Sequence, residues 1–275
     1  MRRRTESNSG RTHPRRSVIP ALLAFWLIIP LTPLVLWAGA SRWSGTSRLP
    51  QGLGLRGWQE ALDSGMIAAL VRSGLLGVAV ALIATPLGVM AGRALGWRLL
   101  RRPALPSVVL LGPVVLAPFA VAMGLDVVIL RLGVPGEVAV VLVLSVFALP
   151  YTTFTMRATY LGLDPALEEQ ARVLGASSRE ARRRVTLPAA TMGLVTATGL
   201  AFLVGWSDYA VTLLIGGGQI VTAPMLIGSS AAGSGNDALT SSLALSASLP
   251  PLMALAVFTY AASRRRTAAH SWPRL

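Results

Sequence analysis

The sequence predicts an all-α integral membrane protein with six transmembrane helices, and three observations carry that expectation. Of its 275 residues, 53% are hydrophobic and only 13% are charged. The apolar residues are not dispersed as a soluble core would need. They form uncharged blocks at 17–41, 73–92, 103–125, 138–156, 185–207 and 238–263, each close to the roughly 20 residues that cross a bilayer as a helix. Inside these blocks apolar and polar residues do not alternate, as the strands of a transmembrane β-barrel would.

Charge placement orients the six blocks. All 25 basic residues are arginine, which we read as codon bias in a GC-rich genome, and the net charge is +14. Arg2, Arg3, Arg4, Arg11, Arg15 and Arg16 precede the first block; Arg93, Arg98, Arg101 and Arg102 lie between the second and third. Arg157, Arg172, Arg179, Arg182, Arg183 and Arg184 lie between the fourth and fifth, and Arg264, Arg265, Arg266 and Arg274 follow the sixth. Thus 20 of the 25 fall on one side, leaving Arg42, Arg48, Arg56, Arg72 and Arg131 for the other. The positive-inside rule then puts both termini in the cytoplasm. Charge arranged in this way orients a chain in a membrane and does not call for a nucleic-acid partner. With no cysteine, disulfides, thiolate metal sites and thiol catalysis are excluded. The only histidines, His13 and His270, sit in the polar tails, so neither a metal nor another cofactor is expected.

Residues 1–16 read as an Arg-rich cytoplasmic tail, 17–263 as the six-span domain and 264–275 as a second cytoplasmic tail. Block 17–41 ends in Ala38-Gly39-Ala40, which imitates a signal-cleavage site. Its length and Pro20, Pro30 and Pro33 favour an uncleaved first span. Residues 42–63 form an external loop, with Trp43 and Trp58 suited to the membrane interface. The second span runs over 66–92, with Arg72 near enough to its end to snorkel. A short turn leads to the third span, which Pro113 and Pro118 kink. Asp126 and Arg131 fall in the next external connection, where they can pair, and Val134-Pro135-Gly136 is a turn. Glu137 opens the fourth span and Pro150 kinks it. The fifth span enters from Pro188 and carries Thr191, Gly193, Thr196, Thr198, Gly199 and Gly205, small residues of the kind that let membrane helices approach. After Trp206-Ser207-Asp208-Tyr209 comes an uncharged stretch to Asn236 holding Gly216-Gly217-Gly218 and Thr222-Ala223-Pro224. Apolar yet rich in helix breakers, it suits a broken segment lining a cavity. No internal repeat is visible.

The polar segment 164–188 between the fourth and fifth spans carries most of the function. Asp164 is a good N-cap, with Pro165 at the first helical position. Glu168 and Glu169 suit the positive end of the helix dipole. Gly175 ends that helix, and Ser177 with Glu180 has the capping-box spacing of a second one. Leu187-Pro188 closes the segment before the fifth span. The loop reads as two short helices hinged at Gly175. Composition alone leaves two readings of it: a solvated loop whose arginines enforce topology, or a docking handle.

At these residues the chain resembles the membrane subunits of ATP-binding cassette importers, the binding-protein-dependent permeases. The family signature is Glu-Ala-Ala, three residues, Gly, nine residues, then Ile-x-Leu-Pro. Glu169, Ala171, Gly175, Leu187 and Pro188 match it in register, while Gln170 replaces the first Ala and Val185 the Ile. The resemblance extends over most of 66–258, including Arg72-Ser73 and the Thr-Ala-Pro segment. It implies an importer-permease fold in a bacterial inner membrane, with 164–188 as a cytoplasmic coupling segment. That segment would sit in a groove on an ATPase subunit, making Glu168, Glu169, Ala171, Gly175, Leu187 and Pro188 ATPase-docking residues. Further implied partners are a second permease subunit, identical or homologous, and an extracytoplasmic solute-binding protein. ATP binding would close the ATPases and rock the paired permeases from inward- to outward-facing, and hydrolysis would reset them. The chain itself has no Gly-x-x-x-x-Gly-Lys phosphate loop, and no lysine to build one, so it is not expected to be an enzyme.

For the solute path the candidates are Asp208, Tyr209, Thr222 and Pro224. Asp208 follows a long uncharged span, so two readings stand: a boundary carboxylate beside an interfacial Tyr209, or an external gate favouring a cationic solute. The resemblance is strongest to the polyamine, ferric-iron, thiamine and phosphonate permeases. Two rival classes fare worse. A stand-alone secondary transporter or channel needs membrane-embedded ionisable groups, and the spans are nearly empty of them. An integral-membrane enzyme needs a nucleophile, base or metal cluster that is missing here.

Overall fold

The computed structural model describes residues 25–26, 29–43, 47, 50–233 and 237–269. Helices dominate it. A single 3₁₀ turn leads into α1 (Thr32–Ala38), and a two-stranded antiparallel hairpin follows, β1 (Ala40–Arg42) with β2 (Gly52–Leu53). Then come α2 (Arg56–Asp63), α3 (Met66–Gly96), α4 (Ala104–Val115), α5 (Pro118–Leu132) and α6 (Gly136–Leu161). The polar segment forms α7 (Ala166–Val173) and α8 (Ser178–Ala189), the latter with a π-helical stretch at Arg182–Thr186. The chain ends in α9 (Thr191–Ser207), α10 (Ala210–Ile215), α11 (Ala223–Ala232) and α12 (Asp237–Ala269).

Among the described residues, α3 and α6 are unbroken helices long and apolar enough to cross a membrane. Two bent pairs pass the same test jointly, α4 with α5 and α8 with α9. The Arg-rich tail, the start of the expected first span and both histidines lie outside the described residues, whereas the cleavage-like Ala38-Gly39-Ala40 joins the end of α1 to β1.

The core is a three-helix seam of α3, α6 and α9. Its basis is a row of glycines that the sequence reading passed over. Gly88, Gly92 and Gly96 stand four residues apart on α3, facing Thr152, Met156 and Tyr160, also four apart, on α6. A Cβ built at Gly92 would lie 2.5 Å from Met156 Cβ and 2.8 Å from the Arg157 nitrogen; one at Gly96 would lie 2.7 Å from Tyr160 Cβ. At Gly88 it would run into the Thr152 side chain. This contact lets the Thr152 hydroxyl donate to the Ala84 carbonyl of α3, 3.2 Å away. α9 closes on α3 in the same way, with Gly205 against Gly77. Buried Val80, Val140, Val143, Leu144 and Ala201 fill the space between these helices. On the outward faces Leu75, Leu82, Met90, Val109 and Leu130 are exposed, as lipid-facing side chains are.

Three expectations need correction. The third span is not a kinked helix: α4 and α5 meet at 102° across Leu116 and Ala117. Pro118 opens α5 and drives Ala117 into an extended conformation, so the helix reverses where a kink was expected. Asp126 and Arg131 consequently lie within α5, not in a loop. Five residues apart on a helix they project to different sides, and no ion pair joins them among the described residues. Third, the apolar run of the fifth span is split: α8 and α9 meet at 76° at Ala190, so that α9 begins at Thr191, later than the sequence block. The predicted external loop also holds more structure than expected: it contains most of the hairpin, and α2 packs on α12 through Gly57.

The glycine row yields a direct test. Gly92→Ala should destabilise the detergent-solubilised protein by about 1–3 kcal/mol, the usual result of overpacking. Gly199→Ala, at a position with open space for a Cβ, should leave the thermal midpoint unchanged.

Candidate functional site

The polar segment folds as two helices about Gly175. The Asp164 carboxylate accepts from the Ala166 N–H at 2.9 Å and so caps α7. Gly175 has φ +93°, a left-handed turn open to glycine at little strain. The Ser177–Glu180 capping box is complete: Glu180 N–H donates to the Ser177 hydroxyl, and Ser177 N–H donates to the Glu180 carboxylate. The Ser177 backbone N–H, then its hydroxyl, then Arg184, hold the Glu180 carboxyl below its ordinary pKa. The box is therefore intact at neutral pH and weakens as pH falls through that lowered value.

α7 is two-faced. Glu169, Gln170, Val173 and Leu174 are exposed, while Ala171 is half-buried and Glu168 is only 8% exposed. Val173 and Leu174 stand out at 87% and 88% exposure on a helix otherwise polar on that side. Neither is among the sequence-predicted site residues; the signal was an apolar pair just before the turn glycine. Among the predicted docking residues, Glu169 and Gly175 lie on the open surface, as does Pro188, and Leu187 is half-buried. Glu168 turns the other way.

Glu168 sits at a junction of four elements. One carboxylate oxygen accepts from Arg93, near the end of α3, at 2.8 Å; the other accepts from the Thr186 hydroxyl, in the π stretch of α8, at 2.9 Å. The Arg93 guanidinium also lies 4.6 Å over the Trp97 ring. Trp97 Nε1 donates to the Tyr160 and Leu163 carbonyls at 3.0 and 3.3 Å, and its ring meets that of Tyr160 edge-on at 5.2 Å. The π stretch lies just before Pro188, which has no N–H to give to the Arg184 carbonyl four residues back. The Leu187 N–H reaches instead to Arg182. Thr186 is thereby buried, with its hydroxyl on Glu168.

At the other end of α9 the structure separates the four path candidates. Asp208 accepts from the Thr212 N–H at 2.8 Å, the Thr212 hydroxyl at 2.9 Å and the Val211 N–H at 3.4 Å, so its carboxylate caps α10. Thr222 is buried at 1% exposure, and the neighbouring Ala223 N–H donates to Ser73 of α3 at 2.9 Å. Tyr209 and Pro224 do converge, with Trp206, Ser207 and Ser248, on an open cavity of 470 Å³. A second cavity of 780 Å³ runs along α3, α9 and α12 and is almost wholly apolar, with Thr85, Gly199, Phe202 and Pro250 in its wall. Among the described residues no cluster of His, Asp or Glu could hold a metal ion.

Comparison with known proteins gives concordant results. The sequence model of the family described as "Binding-protein-dependent transport system inner membrane component" matches residues 65–268. Over 172 residues the chain is 33% identical to the trehalose transport system permease protein SugB of Mycobacterium tuberculosis, a match taking in 58% of this chain and 59% of that protein. Over 57 residues it is 39% identical to the probable ABC transporter permease protein y4fN of Sinorhizobium fredii, covering 21% of this chain and 10% of that one. The chain thus matches less than two thirds of either relative's length. In backbone it resembles a bacterial ABC transporter involved in the import of the acidic polysaccharide alginate, with a TM-score of 0.66 at 16% identity, covering 94% of this chain and 99% of the other. That likeness shows the fold. The solutes these names give, trehalose and alginate, are carbohydrates, outside the polyamine, iron, thiamine and phosphonate classes that the sequence resemblance favoured.

If Asp208 is a helix cap, a neutral isostere that still accepts should keep it. Asp208→Asn should retain the thermal midpoint of the purified protein, whereas Asp208→Ala should cost about 1 kcal/mol.

Proposed function

The chain belongs to the binding-protein-dependent transport system inner membrane component family, and on that footing we propose that it is the permease subunit of an ATP-driven importer. On this reading it crosses a bacterial inner membrane six times with both termini in the cytoplasm, an arrangement that the arginine distribution supports. It forms part of the solute path with a second permease subunit, receives solute from an extracytoplasmic binding protein, and borrows ATP hydrolysis from separate ATPase subunits. The observation that carries this reading is the outward face of α7. Val173 and Leu174, at 87% and 88% exposure, are two large apolar side chains in search of a groove. Fully burying each would be favourable by about 1.5–3 kcal/mol. Glu169, Gly175 and Pro188 are exposed as well, and Ala171 and Leu187 are half-buried. Gln170, the departure from the family signature, is on that same face, so its longer side chain would meet the ATPase directly.

For the solute we infer a neutral carbohydrate in place of the cationic classes. Trehalose, the solute named for the 33%-identical relative, supports this, and so does the chemistry of the 470 Å³ cavity, whose wall offers Trp206, Tyr209, Ser207 and Ser248 and no charged side chain. Aromatic faces and hydroxyls are the groups that take up polyhydroxyl compounds. Asp208, the residue that suggested a cation, is engaged in capping.

Two experiments test these readings. Leu174→Glu and Gly175→Asp should each insert in the membrane normally yet lose co-purifying ATPase and ATP-driven uptake; normal uptake by either variant would sink the docking assignment. Isothermal titration of the cognate binding protein should register trehalose or a related sugar, and a response confined to spermidine or thiamine would reverse the solute inference. Uptake by this chain alone in proteoliposomes would favour the rival secondary transporter.

A further inference from the structure

The docking face explains how α7 would meet an ATPase, but not how its displacement would reach the membrane helices. α7 is short, and Gly175 breaks its backbone path toward α8. Backbone continuity alone would give a soft connection on one side. On the other side, Gly162, Leu163, Asp164 and Pro165 separate α7 from the end of α6. A rigid link has to come from side chains.

We propose that Glu168 is a positioning residue that fastens α7 to α3 through Arg93 and to α8 through Thr186, so that displacement of α7 moves both helices together. This rests on the docking reading above and deepens it. The geometry is specific. Each carboxylate oxygen has its own donor, at 2.8 and 2.9 Å, and the two donors lie 75 and 18 residues away along the chain. Glu168 is buried on a helix whose other acidic residue, Glu169, is exposed. Both arms are anchored in turn. Arg93 lies over Trp97, which is hydrogen-bonded to the end of α6. Thr186 is presented inward by the π stretch, and such irregularities recur at functional positions in helices. A buried carboxylate between an arginine and a hydroxyl is costly to break, because loss of either partner leaves the remaining groups unsatisfied away from water.

The natural absence of cysteine makes the test clean. Met90, on α3 one turn before Arg93 and 70% exposed, is replaced by a single cysteine carrying an environment-sensitive fluorophore. The full complex with its ATPase is reconstituted, and a non-hydrolysable ATP analogue is added. The parent Met90→Cys chain should show a nucleotide-dependent signal. Adding Glu168→Ala or Thr186→Val should retain the ATPase through purification but reduce the amplitude roughly tenfold, within the range of single-residue effects on coupling. The exchange Arg93→Glu with Glu168→Arg should restore it. Full amplitude in Glu168→Ala overturns the proposal, and so does a loss of signal that comes with loss of the ATPase and is not restored by the exchange. Absence of ATPase from the parent complex would instead overturn the docking reading itself.

Discussion

The structure depends on how closely α3 and α6 approach. In lipid, helices gain little by hiding leucine from a solvent that is itself hydrocarbon, so association relies on contact and on polar groups that find partners. Gly88, Gly92 and Gly96 remove the side chains that would hold the backbones apart. The carbonyl of Ala84 then comes within reach of Thr152. Everything else is hung on this seam: α9 against its flank, α10 against α5 and α6, and α11 fastened to α3 at Ser73.

The seam also determines where the polar junction can form. Gly96 is its last contact, against Tyr160, and Trp97 follows at once. With the two helix ends held together, the Trp97 N–H reaches carbonyls of the α6 end, and its ring provides a floor for Arg93. A fixed arginine is what allows Glu168 to be buried as a charge. Without that partner, burying the carboxylate would carry an uncompensated desolvation cost. The same register that packs the membrane helices therefore prepares the socket into which α7 inserts its one inward acid.

Much of this was legible in the sequence, and the gaps have physical causes. Local signals were reliable where one residue type enforces one geometry: the capping box at Ser177 and Glu180, the left-handed turn at Gly175, the Asp164 cap. Apolar block length found α3 and α6 but misjudged α5 and α8, because hydropathy does not register direction. Pro118 and Ala190 turn the chain by 102° and 76° without introducing a polar residue. The three-glycine row was readable as a four-residue repeat and was passed over among the many glycines of the chain. Glu168 could not have been separated from Glu169 by composition or propensity. Only the placement of Arg93 and Thr186, distant in sequence, decides which of two adjacent acids turns inward.

Asp208 shows the same principle working in the opposite direction. In sequence it is a lone acid after an apolar span, the kind of residue that suggests a solute charge. In the fold, three donors from the first turn of α10 converge on it, and two of them are main-chain N–H groups that a broken span leaves orphaned. The break in the helix creates the need, and the acid answers it. A cation passing nearby would have to compete with these fixed donors for the same lone pairs, whereas a neutral polyol would not. If the path follows the cavity beside Tyr209 and Pro224, its selectivity arises from shape, aromatic faces and hydroxyls. A wall of that kind holds no fixed charge with which to draw in a cation.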